Sequence, residues 1–488
     1  MYEGHYTNTT KAVAEFHCDE KSYRDLISPY IRKLAGTDFF LTALDVTPVE
    51  RKHSSTLEDR SYVYKSNTVN GKPITIGHNY SQLVHIPEIG KDRPPWVVPL
   101  DCKRVSSNDK GHLHGIKQLK STMKDDALPF FDQTLVCLGD TAYSANNTIA
   151  EVREELGKNL VLGVRVKGDR IAFKRFEFEG CKKKGRPRLY SDEVVLNNPH
   201  RQVIADLQFK FIEVTARGKE IYNEVSIWQN MIFKGNKDFD SYDFPFTLVR
   251  IVSYNNDGKK IHKNPIWVAF YGHRRDDIIP THQGQLYFNR FKIEHFFKFL
   301  KQNHLMNDFQ TPEVEHEEAW TQINQLAYMQ LYASKEIAEK SCREWEKYSY
   351  KNRPVKALSP KQVQRDMHRI LKTVPRVTKQ LIKRGKSPGR PIGFRPAPRS
   401  TKDIIVKKVE AKSLPEVQKS PPLEKLFDRG RKIKQDISNS NPPKKQNKSI
   451  NSELSKSAKE SKLSQKYRFE LLPASGTKKT VPPYSRPP

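Results

Sequence analysis

Three acidic residues and one helical segment carry the chemistry legible in this sequence. Asp45 lies at the end of an apolar run, FFLTALDVT (39–47), and Asp140 closes another, LVCLGD (135–140). An acid at the carboxyl end of a buried strand faces the crevice where open α/β sheets bind ligands. Two such acids on neighbouring strands could hold a divalent cation. Mg2+ is the first candidate, since it takes one or two carboxylates and completes its shell with water and substrate phosphate. An Asp at such a boundary can equally start a turn or cap a helix.

The third acid, Glu294, sits in LYFNRFKIEHFFKFLKQ (286–302). At 100° per residue, Tyr287, Arg290, Glu294 and Lys301 fall within about 60° of one another, on one stripe of a helix. Leu286, Ile293, Phe296, Phe297 and Leu300 form the neighbouring apolar face. Long polar side chains on that border would emerge beside the strand ends. The bland reading of the stripe is an Arg290–Glu294 pair at i, i+4, worth only a few tenths of a kcal/mol.

The elements that must position these residues read as mixed α/β. Short apolar runs at 72–77 and 82–87 are separated by the turn-like HNYS, and WVVPL (96–100) reads as a further strand. After Asp140, residues 146–157 read as a helix and NLVLGVRV (159–166) as a strand, a strand–helix–strand alternation. Residues 170–263 carry few helix signals and read as a β-rich insertion. The α/β pattern resumes at NPIWVAFYG (264–272), followed by one long helix over 284–303 and a second over 314–340. The expected organisation is a short helical segment at 1–34, a core split into 35–169 and 264–345 around the insertion, a helical extension at 346–374, and a tail from 375.

Together these residues resemble the DDE transposases of bacterial insertion sequences. Tyr287-x2-Arg290-x3-Glu294-x6-Lys301 is similar to the Tyr-Arg-Glu-Lys signature of one branch. Asp45 in Leu-Asp-Val-Thr and Asp140 in Gly-Asp-Thr-Ala-Tyr precede it in the right order. The 154 residues from Asp140 to Glu294 suit members with a β-rich insertion before the glutamate. The resemblance covers roughly residues 35–345. It implies an α/β, ribonuclease-H-like mixed sheet flanked by helices, and two Mg2+ ions (Mn2+ as substitute) held by Asp45, Asp140 and Glu294. It further implies cutting of double-stranded DNA at transposon ends and joining of the 3′-hydroxyl to target DNA, in a synaptic complex built on a homodimer. Tyr287, Arg290 and Lys301 would contact DNA phosphates near the cleaved bond. A base-stacking aromatic occurs in some relatives, for which Trp228 and Trp267 are the candidates. Only 44 residues precede Asp45, fewer than this branch uses to recognise its ends, so that element is expected to be reduced.

Composition bears on the partner. The net charge is +30, and hydrophobic residues make up only 36%, so some of the chain is expected not to fold alone. Residues 375–488 hold 29 Lys and Arg against 9 Asp and Glu, two thirds of the excess charge, in a Lys/Ser/Pro-rich stretch read as a disordered basic tail. Gly185-Arg186-Pro187-Arg188 and Gly389-Arg390-Pro391 resemble minor-groove hooks, which makes Arg186, Arg188 and Arg390 candidate DNA contacts; simple phosphate attraction explains them too. The acidic run Glu313, Glu315, Glu317 and Glu318 reads as a solvated helix start, with a metal cluster as the alternative. Five cysteines without a Cys-x-x-Cys pair argue against structural zinc or a disulfide framework. No signal pattern or spanning apolar run is present, so a cytoplasmic, nucleoid-associated bacterial protein is expected, with no membrane partner. Two other readings stand beside the transposase: a relative that binds DNA without cutting it, and a basic RNA-associated structural protein, which leaves the helical stripe without a role.

Overall fold

The computed structural model describes residues 12–65, 73–176, 189–215, 217–235, 240–278, 280–340, 357–373, 391–395, 397–406 and 470–471. The strands that build the site come first in the chain: β1 (Phe40–Glu50), β2 (Ser61–Tyr64), β3 (Ile74–His85) and β4 (Val98–Val105). β3 runs antiparallel to β1, β2 and β4. Helix α2 (Gly111–Met123), which follows the shorter α1 (Glu20–Ile27), leads into β5 (Leu135–Gly139), parallel to β1. Two short helices, α3 (Asn146–Glu151) and α4 (Arg153–Leu156), lead into β6 (Leu160–Val166), parallel to β5. β5 and β6 are covered on both faces, which is why they read as nearly unbroken apolar runs.

The insertion does not form a layer of its own. β7 (Ile171–Arg175), β8 (Tyr190–Val195), β9 (Leu207–Val214), β10 (Glu220–Phe233) and β11 (Phe246–Tyr254) join the same sheet, and β12 (Ile266–Tyr271) pairs antiparallel with β6. All twelve strands described between Phe40 and Tyr271 therefore belong to one mixed sheet flanked by helices, the α/β class expected from the sequence. One apolar cluster holds Leu41, Ala43, Val136, Leu138 and Val268 against Ile293, Phe296 and Leu300 of the signature segment. The other holds Phe40, Leu44, Cys137 and Leu162 against Ile116 and Leu119 of α2. No helix of the described residues is long and apolar enough to cross a membrane.

Several local expectations are corrected. HNYS is not a turn: β3 passes straight through it, paired with β1 on one side and from Asn79 with β4 on the other. His78 bonds the Glu317 carboxylate at 2.7 Å and the Glu58 carbonyl at 2.9 Å. The helix expected over 146–157 is broken at Val152 into α3 and α4. The single helix expected over 284–303 is two, α5 (Pro280–Phe288) and α6 (Phe291–Asn303). Asn289 stands at the break, its amide donating to the Gln285 carbonyl and its oxygen accepting from the Gly90 backbone. Such local side-chain bonding competes with the helical ladder. The second expected helix divides into α7 (Val314–Ala333) and α8 (Lys335–Lys340). Helix α9 (Pro360–Thr373) falls within the expected extension.

Most of the span read as a tail lies outside the described residues. Its stretch 402–405 is laid along the body: Lys402 N–H donates to the Ser55 carbonyl, Ile405 N–H to the Arg60 carbonyl, and the Lys402 ammonium pairs with Glu58 at 2.8 Å.

The pairing of β1 with β3 fixes which residues of β1 face the site, and Gly77 permits it. A Cβ at Gly77 would stand 2.0 Å from the Val49 carbonyl oxygen, a backbone atom that cannot swing aside. Gly77→Ala is expected to destabilise the protein by about 1–3 kcal/mol, the usual cost of overpacking, read as a lower denaturation midpoint in urea. An unchanged midpoint would mean that β1 and β3 approach less closely than this.

Candidate active site

Strand register brings the first two acids together. Ala43 of β1 pairs with Leu138 of β5 in a parallel ladder, so Asp45 and Asp140, each two residues further on, stand at one level on adjacent strands and on the same face. The ladder ends at Ala43–Leu138. Beyond it β1 keeps only β3 as partner, through Glu50, while the chain leaves β5 in a 3-10 turn, Thr141–Ser144. The sheet thus opens into a crevice at the two acids. Asp45 sits mid-strand rather than at a strand end; the end that sequence reasoning placed there is the end of its pairing with β5. Asp140 does cap the turn, accepting from Ala142 N–H at 2.9 Å. A carboxylate has about four acceptor sites, so capping leaves capacity for a further ligand.

The third acid comes from across the crevice. Arg290 begins α6 and is 5% exposed. Its guanidinium donates to Asp45 Oδ2 at 3.1 Å and to Glu294 Oε1 one turn on, so one cation joins the acid of the strand to the acid of the helix. The guanidinium also lies 4.9 Å from the centroid of the Phe291 ring. Glu294 itself is half exposed. The Tyr287 ring is fully buried, packed edge-on against Phe291; burial raises its hydroxyl's pKa and the neighbouring Arg290 opposes the rise. Lys301 donates from Nζ to Thr47 Oγ1 at 2.6 Å. Burial pulls its pKa down to about 8, against the attraction of Glu50 and Asp45.

Asp45 reports the electrostatics of the whole group. Burial pushes its pKa up to about 6. Arg290 and the Val46 N–H oppose this, and the negative charges of Asp140 and Glu294 add to it. Asp45 therefore feels both of the other acids. Among the described residues no three acidic, His or Cys side chains are gathered closely enough to ligate a metal as they stand; Arg290 lies between two of the three.

Other expected residues are placed differently. Trp228 and Trp267 are both buried, ring centroids 5.6 Å apart, with the Trp228 indole donating to the Val203 carbonyl. Neither offers a free face for a base. Glu317 is no solvated helix-start acid: it is fully buried, paired with Arg51 at 3.4 Å and with His78. Arg186, Arg188 and Arg390 lie outside the described residues. Sequence reasoning missed His112, in the first turn of α2, whose ring feels the Asp140 charge while burial and Lys110 lower its pKa. The signal was Gly111: a Cβ there would meet the Val46 side chain at 3.1 Å, so the start of α2 is pressed against the strand that carries Asp45.

No protein-family model matches this chain, and no curated protein matches it.

A buried carboxyl whose folded pKa lies above its unfolded value near 3.9 stabilises the fold only at low pH. Its contribution is full below about pH 4 and is lost as the pH rises through about 6. Asp45→Asn, which carries no charge, is therefore expected to raise the melting temperature in EDTA at pH 7.5 by several degrees, with the gain shrinking towards pH 4. An equal loss of stability at both pH values would show that the Arg290 pair outweighs the burial.

Proposed function

We propose that this chain is a DDE-type transposase with a ribonuclease-H-like core, cutting double-stranded DNA at transposon ends and joining the freed 3′-hydroxyl to target DNA. The observation that carries the reading is the row of Asp45 and Asp140 at one level on parallel strands, with Glu294 tied to Asp45 through Arg290. The strand order β4-β3-β1-β5-β6, with the first three antiparallel and the last two parallel to β1, supports the ribonuclease-H-like assignment. The insertion between β6 and α5 accounts for the long interval before Glu294.

The donor set suits a hard divalent cation such as Mg2+ or Mn2+: three carboxylates, two of them side by side, one made costly as an anion by its burial and further by the other two. Asp45 and Asp140 would hold two ions with Glu294. When bound, such ions stabilise charge on the entering and leaving oxygens of phosphoryl transfer. Arg290 now neutralises two of these carboxylates. Released from that task, its planar guanidinium can grip a phosphate bidentately. Lys301, fixed on Thr47 one strand position beyond Val46, supplies a point charge. Tyr287 is enclosed in the core, where it supports Phe291 and Arg290 rather than reaching DNA from its present position. Joining two ends calls for two copies of the chain.

The second reading, a relative that binds DNA without cutting it, draws on one observation: Arg290 occupies the space between Asp45 and Glu294. The test is cleavage, with Mg2+ or Mn2+, of DNA carrying the inverted repeats that flank the gene. The wild-type chain is expected to cut. Asp140→Ala is expected to lose more than about a hundredfold, since even supporting residues of metal sites cost 10–100-fold. Cleavage at the wild-type rate by that variant would remove Asp140 from the site. Salt-sensitive binding without cutting by the wild-type chain would favour the second reading.

A further inference from the structure

The row of site residues does not stop at Asp140. Leu138 of β5 pairs with Gly163 of β6, so Arg165 stands at the same level one strand further on, and on the same face as Asp45 and Asp140. It is exposed, and its charge reaches Tyr287. Next to it, a cleft of about 500 Å³ wraps the carboxyl end of β6 and opens on the other face of the sheet, where Val166, Trp267 and Arg250 lie. Its lining begins at Thr141, the residue after Asp140, and includes Arg165, Lys167 and Arg250.

These cations are not consumed by the fold. Among the described residues none of the three is ion-paired, and the Arg250 Nε is buried without a hydrogen-bond partner. Glu224, the acid whose charge Arg250 feels, is already held by Lys210 at 2.8 Å and by the Tyr254 hydroxyl at 3.1 Å. Asp169 is the one acid of the lining and interacts with Arg170. Trp267, the one aromatic residue of the lining, is 2% exposed, so no ring face is open for a base. A positive, unstacked groove around the sheet end beside Asp140 is chemistry for a phosphodiester backbone and carries no means of reading bases.

We propose that this cleft is a phosphate-binding channel in which Arg165, Lys167 and Arg250 hold the backbone of the DNA strand that passes Asp140. The proposal rests on the transposase reading and assigns the strand's path within it. Backbone contacts alone would give binding that is independent of sequence and steeply dependent on salt.

The test is affinity of the full-length chain for duplex DNA across a salt series in EDTA, where no cutting occurs. Each lost phosphate contact lowers the slope of log K against log salt by about 1. Arg165→Gln/Lys167→Gln is expected to lower it by about 2, with affinity at 150 mM salt falling roughly tenfold or more on every sequence. Arg250→Gln should lower it by about 1. Lys33→Gln/Lys158→Gln removes the same charge near the amino ends of β1 and β6, and is expected to leave the slope unchanged. Unaltered melting temperatures show that the variants fold. A slope in the Arg165/Lys167 variant equal to that of the wild type or of the Lys33/Lys158 control overturns the channel, even if the wild-type chain cuts DNA. A lowered slope upholds it, even if no cutting is ever found.

Discussion

Asp45 and Asp140 stand on neighbouring strands, whose spacing is about 4.8 Å. Two unit charges about 5 Å apart repel by about 3 kcal/mol at an effective dielectric constant of about 20. The region around them is organised by that repulsion. Burial raises the pKa of Asp45 and this repulsion adds to it; together they call for a cation, which the protein provides from within as Arg290. The proposed chemistry uses the same repulsion, because a site that is costly without a cation gains most from acquiring one.

Holding Arg290 there depends on packing some distance away. Ile293, Phe296 and Leu300 press α6 onto the sheet. Its carboxyl end is secured by Arg51, the residue after β1, which donates to the Met306 and Asn307 carbonyls and pairs with buried Glu317 of α7. Removing one partner of a buried ion pair typically costs 3–5 kcal/mol, so this anchor is stiff. The strand that carries Asp45 and the helix that carries Glu294 are thereby tied at both ends of the crevice.

The insertion adds to the site by continuing its sheet. β12 pairs with β6 and β11 with β12, so Arg250 is set beside Trp267 and, through it, near Val166 at the end of β6. On the proposed reading the core supplies the reacting centre and the insertion supplies the wall along which a strand leaves it. A separate domain joined by a flexible linker could not hold Arg165 and Arg250 at one cleft.

The sequence by itself determined the elements whose burial is complete. LVCLG and, up to Arg165, LVLGV are apolar on both faces, and such runs have few alternatives to central strands. It also determined which polar residues of 287–301 share a side, because helical periodicity is local. What it could not contain is register. That Asp45 and Asp140 share a level, and that Arg165 joins them, follows from inter-strand pairing between residues 25 to 95 positions apart, to which no local preference speaks. The same holds where local signals misled. HNYS reads as a turn until β1 and β4 pair with β3 across it, and 284–303 reads as one helix until Gly90 bonds Asn289. Each of these was decided by a partner distant in sequence, which is why only the tertiary structure could supply it.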